Sequence, residues 1–203
     1  LAKKIGHDLT KEEVSIFNVA STAYLHFAKI FIRNDGKNIK IPVSIVTDLD
    51  NRPDKDGKFK KLPNLDPVTD KKIKTKYDNL ETLKKELGQT LVKLELAKEW
   101  TLEWCLYKSS SLSSLFKASV SEVHSGTEAF KKLENSEWNA SKFESKLISK
   151  LKKEQGTSEL DKVRIASTLA EKIKKSTELV IDENDEYLKY LINAIEHACS
   201  YEN

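Results

Sequence analysis

The sequence predicts an α/β protein: a parallel sheet flanked by helices, followed by a helical second half. Three observations lead there. Residues 41–47, Ile-Pro-Val-Ser-Ile-Val-Thr, are a short apolar run of the kind buried on both faces of a parallel sheet, and they end on Asp48-Leu49-Asp50. Residues 90–96, Thr-Leu-Val-Lys-Leu-Glu-Leu, alternate apolar and polar with the period of a strand. Around them lie segments whose apolar residues recur at helical spacing, and from residue 104 onward only that spacing is found.

Glu13 to Ala20 reads as a strand, because Val14, Ile16 and Val19 sit among β-formers. Ala20 to Arg33 has apolar residues at 20, 23, 24, 27, 30 and 31, one face of a helix, and Asn34-Asp35-Gly36 stops it. With the strand at 41–47 this makes a strand–helix–strand unit, the order that implies parallel pairing and a right-handed crossover. Residues 51–70 hold three of the four prolines, Gly57 and several aspartates, which makes them a loop; its length points to a role beyond connection. From Lys71 to Leu87, apolar positions 73, 77, 80, 83 and 87 mark a second amphipathic helix, closed by Gly88. After the strand at 90–96, helices are expected at 104–122, 127–135, 139–154, 158–175 and 186–201. The serine run at 109–114 is a weak helix former, but Leu112, Leu115 and Phe116 argue for order there. The chain divides on this reading into an α/β core (1–103), a helical insertion (104–157) and closing helices (158–203).

Composition bounds the function. The 203 residues are 38% apolar and 33% charged, polar for a folded domain but short of disorder. A formal charge of +3 excludes a global basic field as the reason for nucleic-acid binding, leaving local patches. Two cysteines in a chain of this length, with no signal-like start, fit reduced thiols and a cytoplasmic setting. No stretch approaches the roughly 18 to 20 apolar residues that cross a bilayer, so no membrane partner is expected. The chain has no methionine, not even at position 1, and is expected to be part of a longer protein.

Asp48 and Asp50 carry the strongest chemical signal. They follow a buried-type strand, and open α/β sheets bind ligands outside the carboxyl ends of their strands. Residues two apart face the same side, and like charges held that close repel unless a cation lies between them. The plain alternative is a cap or turn, for which aspartate is also favoured. Thr101 and Glu103 follow the next strand, and parallel strands would bring them to the same edge. Carboxylates with a hydroxyl select hard cations such as Mg²⁺ or Mn²⁺. Here too there is a plain reading, with Thr101 as helix N-cap and Glu103 at the positive end of that helix; both roles can coexist.

Residues 51–76 hold nine basic side chains, among them Arg52, Lys55, Lys58, Lys60 and Lys61, against four aspartates. Such an excess beside acidic metal ligands suits a phosphodiester substrate; a solvated lysine-rich loop has the same composition. Asp54-Lys55-Asp56-Gly57 resembles half a calcium loop, but Arg52 occupies what would be the first ligand position and rules it out. Lys162 opens the helix at 158–175 against the dipole preference, as a lysine aimed at a phosphate or at the acidic cluster would. His7, His26, His124 and His197 show no metal-ligand spacing, and Cys105 beside Trp104 reads as core. There is no glycine-rich phosphate loop and no Ser-His-Asp order.

Val14-Ser15-Ile16-Phe17-Asn18-Val19, Phe27-Ala28-Lys29-Ile30-Phe31 and residues 41–50 together resemble the central segment of the Toprim catalytic region of OLD-family ATP-dependent endonucleases. Trp100-Thr101-Leu102-Glu103 resembles that family's next motif. Lys162-Val163-Arg164-Ile165-Ala166, continuing through Leu169-Ala170-Glu171-Lys172-Ile173, resembles its late lysine helix. The resemblance implies Mg²⁺- or Mn²⁺-dependent cleavage of DNA, with Asp48, Asp50 and Glu103 as catalytic metal ligands, Thr101 supplying a hydroxyl and Lys162 near the scissile phosphate. It implies a two-metal site, with cations about 3.5 to 4 Å apart holding the attacking and leaving oxygens in line. It also implies ATP bound only by a separate N-terminal ATPase domain, a homodimer and, in some members, a helicase partner. The family pattern begins with a glutamate-bearing strand upstream of Leu1-Ala2-Lys3-Lys4-Ile5-Gly6, which looks like the tail of the helix after it, so this chain alone is expected to be incomplete.

Two other classes fit parts of the pattern. Haloacid-dehalogenase-like phosphatases also use Asp-x-Asp after a strand, with Asp48 then becoming an aspartyl-phosphate, but they want Thr or Val where Arg52 stands. A helical interaction module would use residues 104–203 to bind a partner, with the sheet as scaffold.

Overall fold

In the computed structural model two strands, β1 (Val43–Thr47) and β2 (Val92–Leu96), pair in parallel, with Val43 opposite Val92 and Thr47 opposite Leu96. The structure describes residues 1–19, 24–32, 39–51, 53, 58–59, 71–88, 90–124, 140–151 and 160–200. Pairing starts at the Val43 N–H, which donates to the Leu91 carbonyl at 2.8 Å, and it outlasts the strands. Ala97 N–H donates to Thr47 O (3.0 Å), Asp50 N–H to Trp100 O (3.0 Å) and Asn51 N–H to Glu99 O (3.3 Å). Residues 48–51 and 97–103 therefore leave the sheet side by side.

Helices cover both faces of the pair. On one face, α1 (Tyr24–Phe31) and α2 (Lys71–Leu87) close over Ile45, Leu49, Val92 and Leu94 with Ala28, Leu80 and Leu87. Ser44, one position from Ile45, points the other way, and its hydroxyl donates to the Ala194 carbonyl of α7 (Lys189–Ala198) at 2.7 Å. The unit β1–α2–β2 is thus a parallel strand–helix–strand, as the spacing predicts.

The unit expected before it does not form. Residues 14–19 form no strand, and Ile16 and Phe17 are adjacent yet 80% and 83% exposed. A strand needs a partner and one buried face; β-forming composition supplies neither.

The second half is helical: α3 (Leu102–Lys108), α4 (Ser113–Val123), α5 (Ala140–Leu151), α6 (Lys162–Lys175) and α7. Trp104 and Tyr107 of α3, Phe116 and Val120 of α4, Phe143 and Leu147 of α5, and Ile165 and Leu169 of α6 meet in one core with Trp100. Burying each large side chain contributes roughly 1.5–3 kcal/mol. The single helix expected at 104–122 is two, broken at Ser109–Leu112. Ser109 Oγ turns back to accept from Leu112 N–H (2.9 Å) while donating to buried Asp185 (2.6 Å), a serine competing with the helix for backbone donors. The helix expected at 127–135 lies outside the described residues. At the amino terminus Ala2–Ile5 form a 3₁₀ turn ended by Gly6 at φ 93°, with Leu1 and Ile5 against Leu188 and Ile192. No helix among the described residues is long and apolar enough to cross a membrane.

Candidate metal centre

Asp48 follows the last residue of β1, and its Oδ1 accepts the Leu102 N–H at the start of α3 at 3.0 Å. Burial pushes its carboxyl up to about 6, helped by the charges of Glu103 and Asp50; the Leu102 N–H and the Lys162 ammonium only partly offset them. Ionised Asp48 is therefore short of positive charge in the folded chain.

Glu103, in the first turn of α3, comes from the segment after β2, as parallel pairing requires. Its Oε1 accepts from Lys162 Nζ at 2.9 Å, which ties the first residue of α6 to the sheet edge. Its Oε2 is buried with no hydrogen-bond partner among the described residues. A buried carboxylate oxygen left bare is costly, and a bound cation is one of the few things that makes it affordable. Thr101 is buried, and its Oγ1 caps α3 by accepting the Trp104 N–H at 3.3 Å. The capping role is thus real, and Thr101 brings its hydroxyl to the edge only as part of that cap.

Asp50 differs from expectation. It does not share a pocket with Asp48 through strand alternation, because β1 ends at Thr47 and Asp50 stands in the left-handed region at φ 57°. Its Oδ2 meets Lys76 Nζ at 2.5 Å, and the same ammonium donates to the Asp48 carbonyl at 3.0 Å. Lys76 was counted above only within the basic excess of 51–76; its position at the second turn of α2, over the carboxyl edge, is what reaches Asp50. One donor atom each from Asp48, Asp50 and Glu103 do not all come within 4.8 Å of one another; among the described residues only His7, Glu12 and Cys199 meet that condition. The three carboxylates share an edge and an electrostatic environment, with Lys76 and Lys162 each occupying one of them.

Of the basic loop, Arg52, Lys55, Lys60 and Lys61 lie outside the described residues. Lys58 is exposed, and the neighbouring Phe59 packs on Trp104 of α3, the helix that carries Glu103, with ring centroids 5.1 Å apart. Cys105 is fully buried, as expected of a core residue. Compared with known proteins, the chain matches no family model, no curated protein and no solved structure.

Proposed function

We propose that the carboxyl edge of β1 and β2 is a divalent-metal site for phosphodiester hydrolysis, and that the protein is a metal-dependent DNA endonuclease of Toprim type. The observation that supports this reading is the meeting of Asp48 and Glu103, from successive parallel strands, with Lys162 from a distant helix and a bare Glu103 oxygen. The donor set is all oxygen, which fits Mg²⁺ or Mn²⁺; Asp48, Asp50 and Glu103 would hold the ions, with Thr101 alongside. When bound, such an ion polarises a phosphoryl oxygen and makes its water a better nucleophile.

The chain's own residues do the rest. Lys162 sits at the rim with its side chain about two-fifths exposed, placed to neutralise charge developing on a phosphate oxygen. Lys76 holds Asp50 and offsets part of the negative charge at the edge. Arg52, Lys55, Lys58, Lys60 and Lys61 belong to the proposal as contacts to the DNA backbone, which position without reading sequence. An ATP-binding N-terminal domain, a homodimer and a helicase partner are parts of the same proposal, inherited from the resemblance.

The test is a Mn²⁺ titration of this chain followed by NMR, with supercoiled-plasmid nicking measured in parallel. Paramagnetic broadening is expected first at the amides of Asp50 and Leu102, and it is lost in Glu103→Gln. Broadening that spares these amides, or that survives unchanged in Glu103→Gln, overturns the site. Trapping of an aspartyl-phosphate on Asp48 would replace the nuclease with phosphatase chemistry.

A further inference from the structure

The two ends of the chain meet at the opposite rim of the sheet. α7 runs back across β1 and β2. Tyr190 in its first turn shares the surroundings of Cys105 and Asp48, Ala194 accepts from Ser44, and His197 Nε2 pairs with the Leu91 carbonyl at 2.9 Å, ahead of β2. Cys199, which ends the helix, is thus about 14 Å along its axis from Tyr190 and from the acidic edge.

At that far rim, Cys199 meets the amino-terminal segment. One donor atom each from His7, Glu12 and Cys199 lie within 4.8 Å of one another, and all three residues are half-buried. His7 Nδ1 and Glu12 Oε2 are 2.9 Å apart. The other Glu12 oxygen is fixed by the Asp8 N–H at 2.8 Å, and the Cys199 sulfur lies beside the same carboxylate. The backbone around them is tied by His7 N–H to Ala2 O (3.0 Å), Glu12 N–H to Asp8 O (3.0 Å) and Val14 N–H to Leu9 O (2.8 Å).

We propose that His7, Glu12 and Cys199 are a binding site for one thiophilic divalent cation, Zn²⁺ in the first instance, with water completing the coordination. One imidazole nitrogen, one carboxylate oxygen and one sulfur are the donors zinc takes, in a three-protein-ligand set that leaves a position open. Mg²⁺ and Ca²⁺ are poor occupants, since two of the three donors are not oxygen. A His–Glu hydrogen bond alone needs no third group, yet the sulfur is brought to it from a helix far along the chain. The binding step balances simply. The Cys199 thiol gives its proton to solvent as the sulfur–metal bond forms, and His7 passes the Nδ1 proton that faces Glu12 to solvent and carries its ring proton on Nε2, which frees the Nδ1 lone pair for the metal. Glu12 exchanges its hydrogen bond from His7 for the metal. Thiolate and carboxylate then cancel the charge of the ion. This site is independent of the carboxylate edge in position and in donor type, and it would lock the amino-terminal segment to α7.

The experiment uses Co²⁺ as the spectroscopic probe, titrated into the whole chain. A thiolate-to-cobalt charge-transfer band at one ion per chain is expected, bleached by Zn²⁺ and indifferent to excess Mg²⁺. Cys199→Ser abolishes the band, and Glu12→Gln weakens binding about tenfold or more. Cys105→Ala and Glu103→Gln leave it in place, which separates this site from the acidic edge. No band in the wild-type chain, or a band surviving in Cys199→Ser, overturns the proposal. Should Cys105→Ala fail to fold, the Cys199→Ser result decides alone, with its metal-free melting curve as the check on folding.

Discussion

Replacing Asp48 by asparagine separates a metal ligand from a helix cap, because the two roles give opposite signs. The folded chain raises the Asp48 carboxyl from an ordinary 3.8 to about 6. Each unit corresponds to about 1.36 kcal/mol, so ionising this group costs the folded state about 3 kcal/mol. The folded value lies above the unfolded one. The protonated group's contribution to stability is therefore complete below about pH 4 and is lost as pH rises through about 6. Asparagine keeps an oxygen to accept the Leu102 N–H but carries no charge beside Glu103 and Asp50. In chelator at pH 8, Asp48→Asn should therefore be more stable than the wild type by up to about 3 kcal/mol, and the gap should close by pH 4. Urea unfolding at both pH values, monitored by circular dichroism, measures it; Mn²⁺ should restore stability to the wild type alone. If the Asp48 charge instead served the positive end of α3, the variant would lose up to about 1 kcal/mol at pH 8, and that result would refute the reasoning.

Lys76→Met removes the ammonium that competes for Asp50; its half-exposed ion pair is worth about 1 kcal/mol or less, so stability should barely change while Mn²⁺ affinity rises severalfold in a calorimetric titration. Asp185 is buried, which raises its pKa, but donors from Ser109, Ser110, Ser111 and Tyr187 outweigh burial and hold the carboxyl below its usual range. Its contribution is present above the unfolded pKa and lost as pH falls through the folded one. Asp185→Asn should accordingly flatten the acid limb of the stability curve and cost about 2 kcal/mol near neutral pH, read from urea midpoints.

Local pattern and parallel topology made much of the fold and part of the edge legible. The helix at 71–87 and the strands ending at Thr47 and Leu96 follow from spacing within one element, where period alone decides. The meeting of Asp48 with Glu103 follows from parallel pairing, since both come after strands that point the same way. What failed depended on partners. Ile16 and Phe17 look like strand residues but join no ladder among the described residues, and Ser109 breaks a helix because Asp185, far along the chain, receives its hydroxyl. Lys76 was legible as a charge and not as a contact, because which of nine basic residues turns inward depends on how α2 sits over the edge. His7 and Cys199 gave no signal at all, since metal-ligand spacing is a property of neighbours in sequence and these come from opposite ends of the chain.

The carboxyl edge gathers features that are each unfavourable on local grounds. Asp50 adopts a left-handed backbone without being glycine, Lys162 opens a helix whose dipole disfavours it, Asp48 ionises uphill, and one Glu103 oxygen is buried bare. Buried Asp185, by contrast, is saturated with donors and Arg164 N–H finds the Asp161 cap at 3.0 Å, although Glu13 also stands in the left-handed region at φ 56° and the Tyr190 hydroxyl is also buried without a hydrogen-bond partner among the described residues. A fold that needed only a joint between α3 and α6 could make it with a neutral amide at 103 and a shorter side chain at 162. Several such features gathered where two strands end support the binding role proposed for that edge. The acidic edge and its two lysines are accordingly where the proposed cation should be sought first.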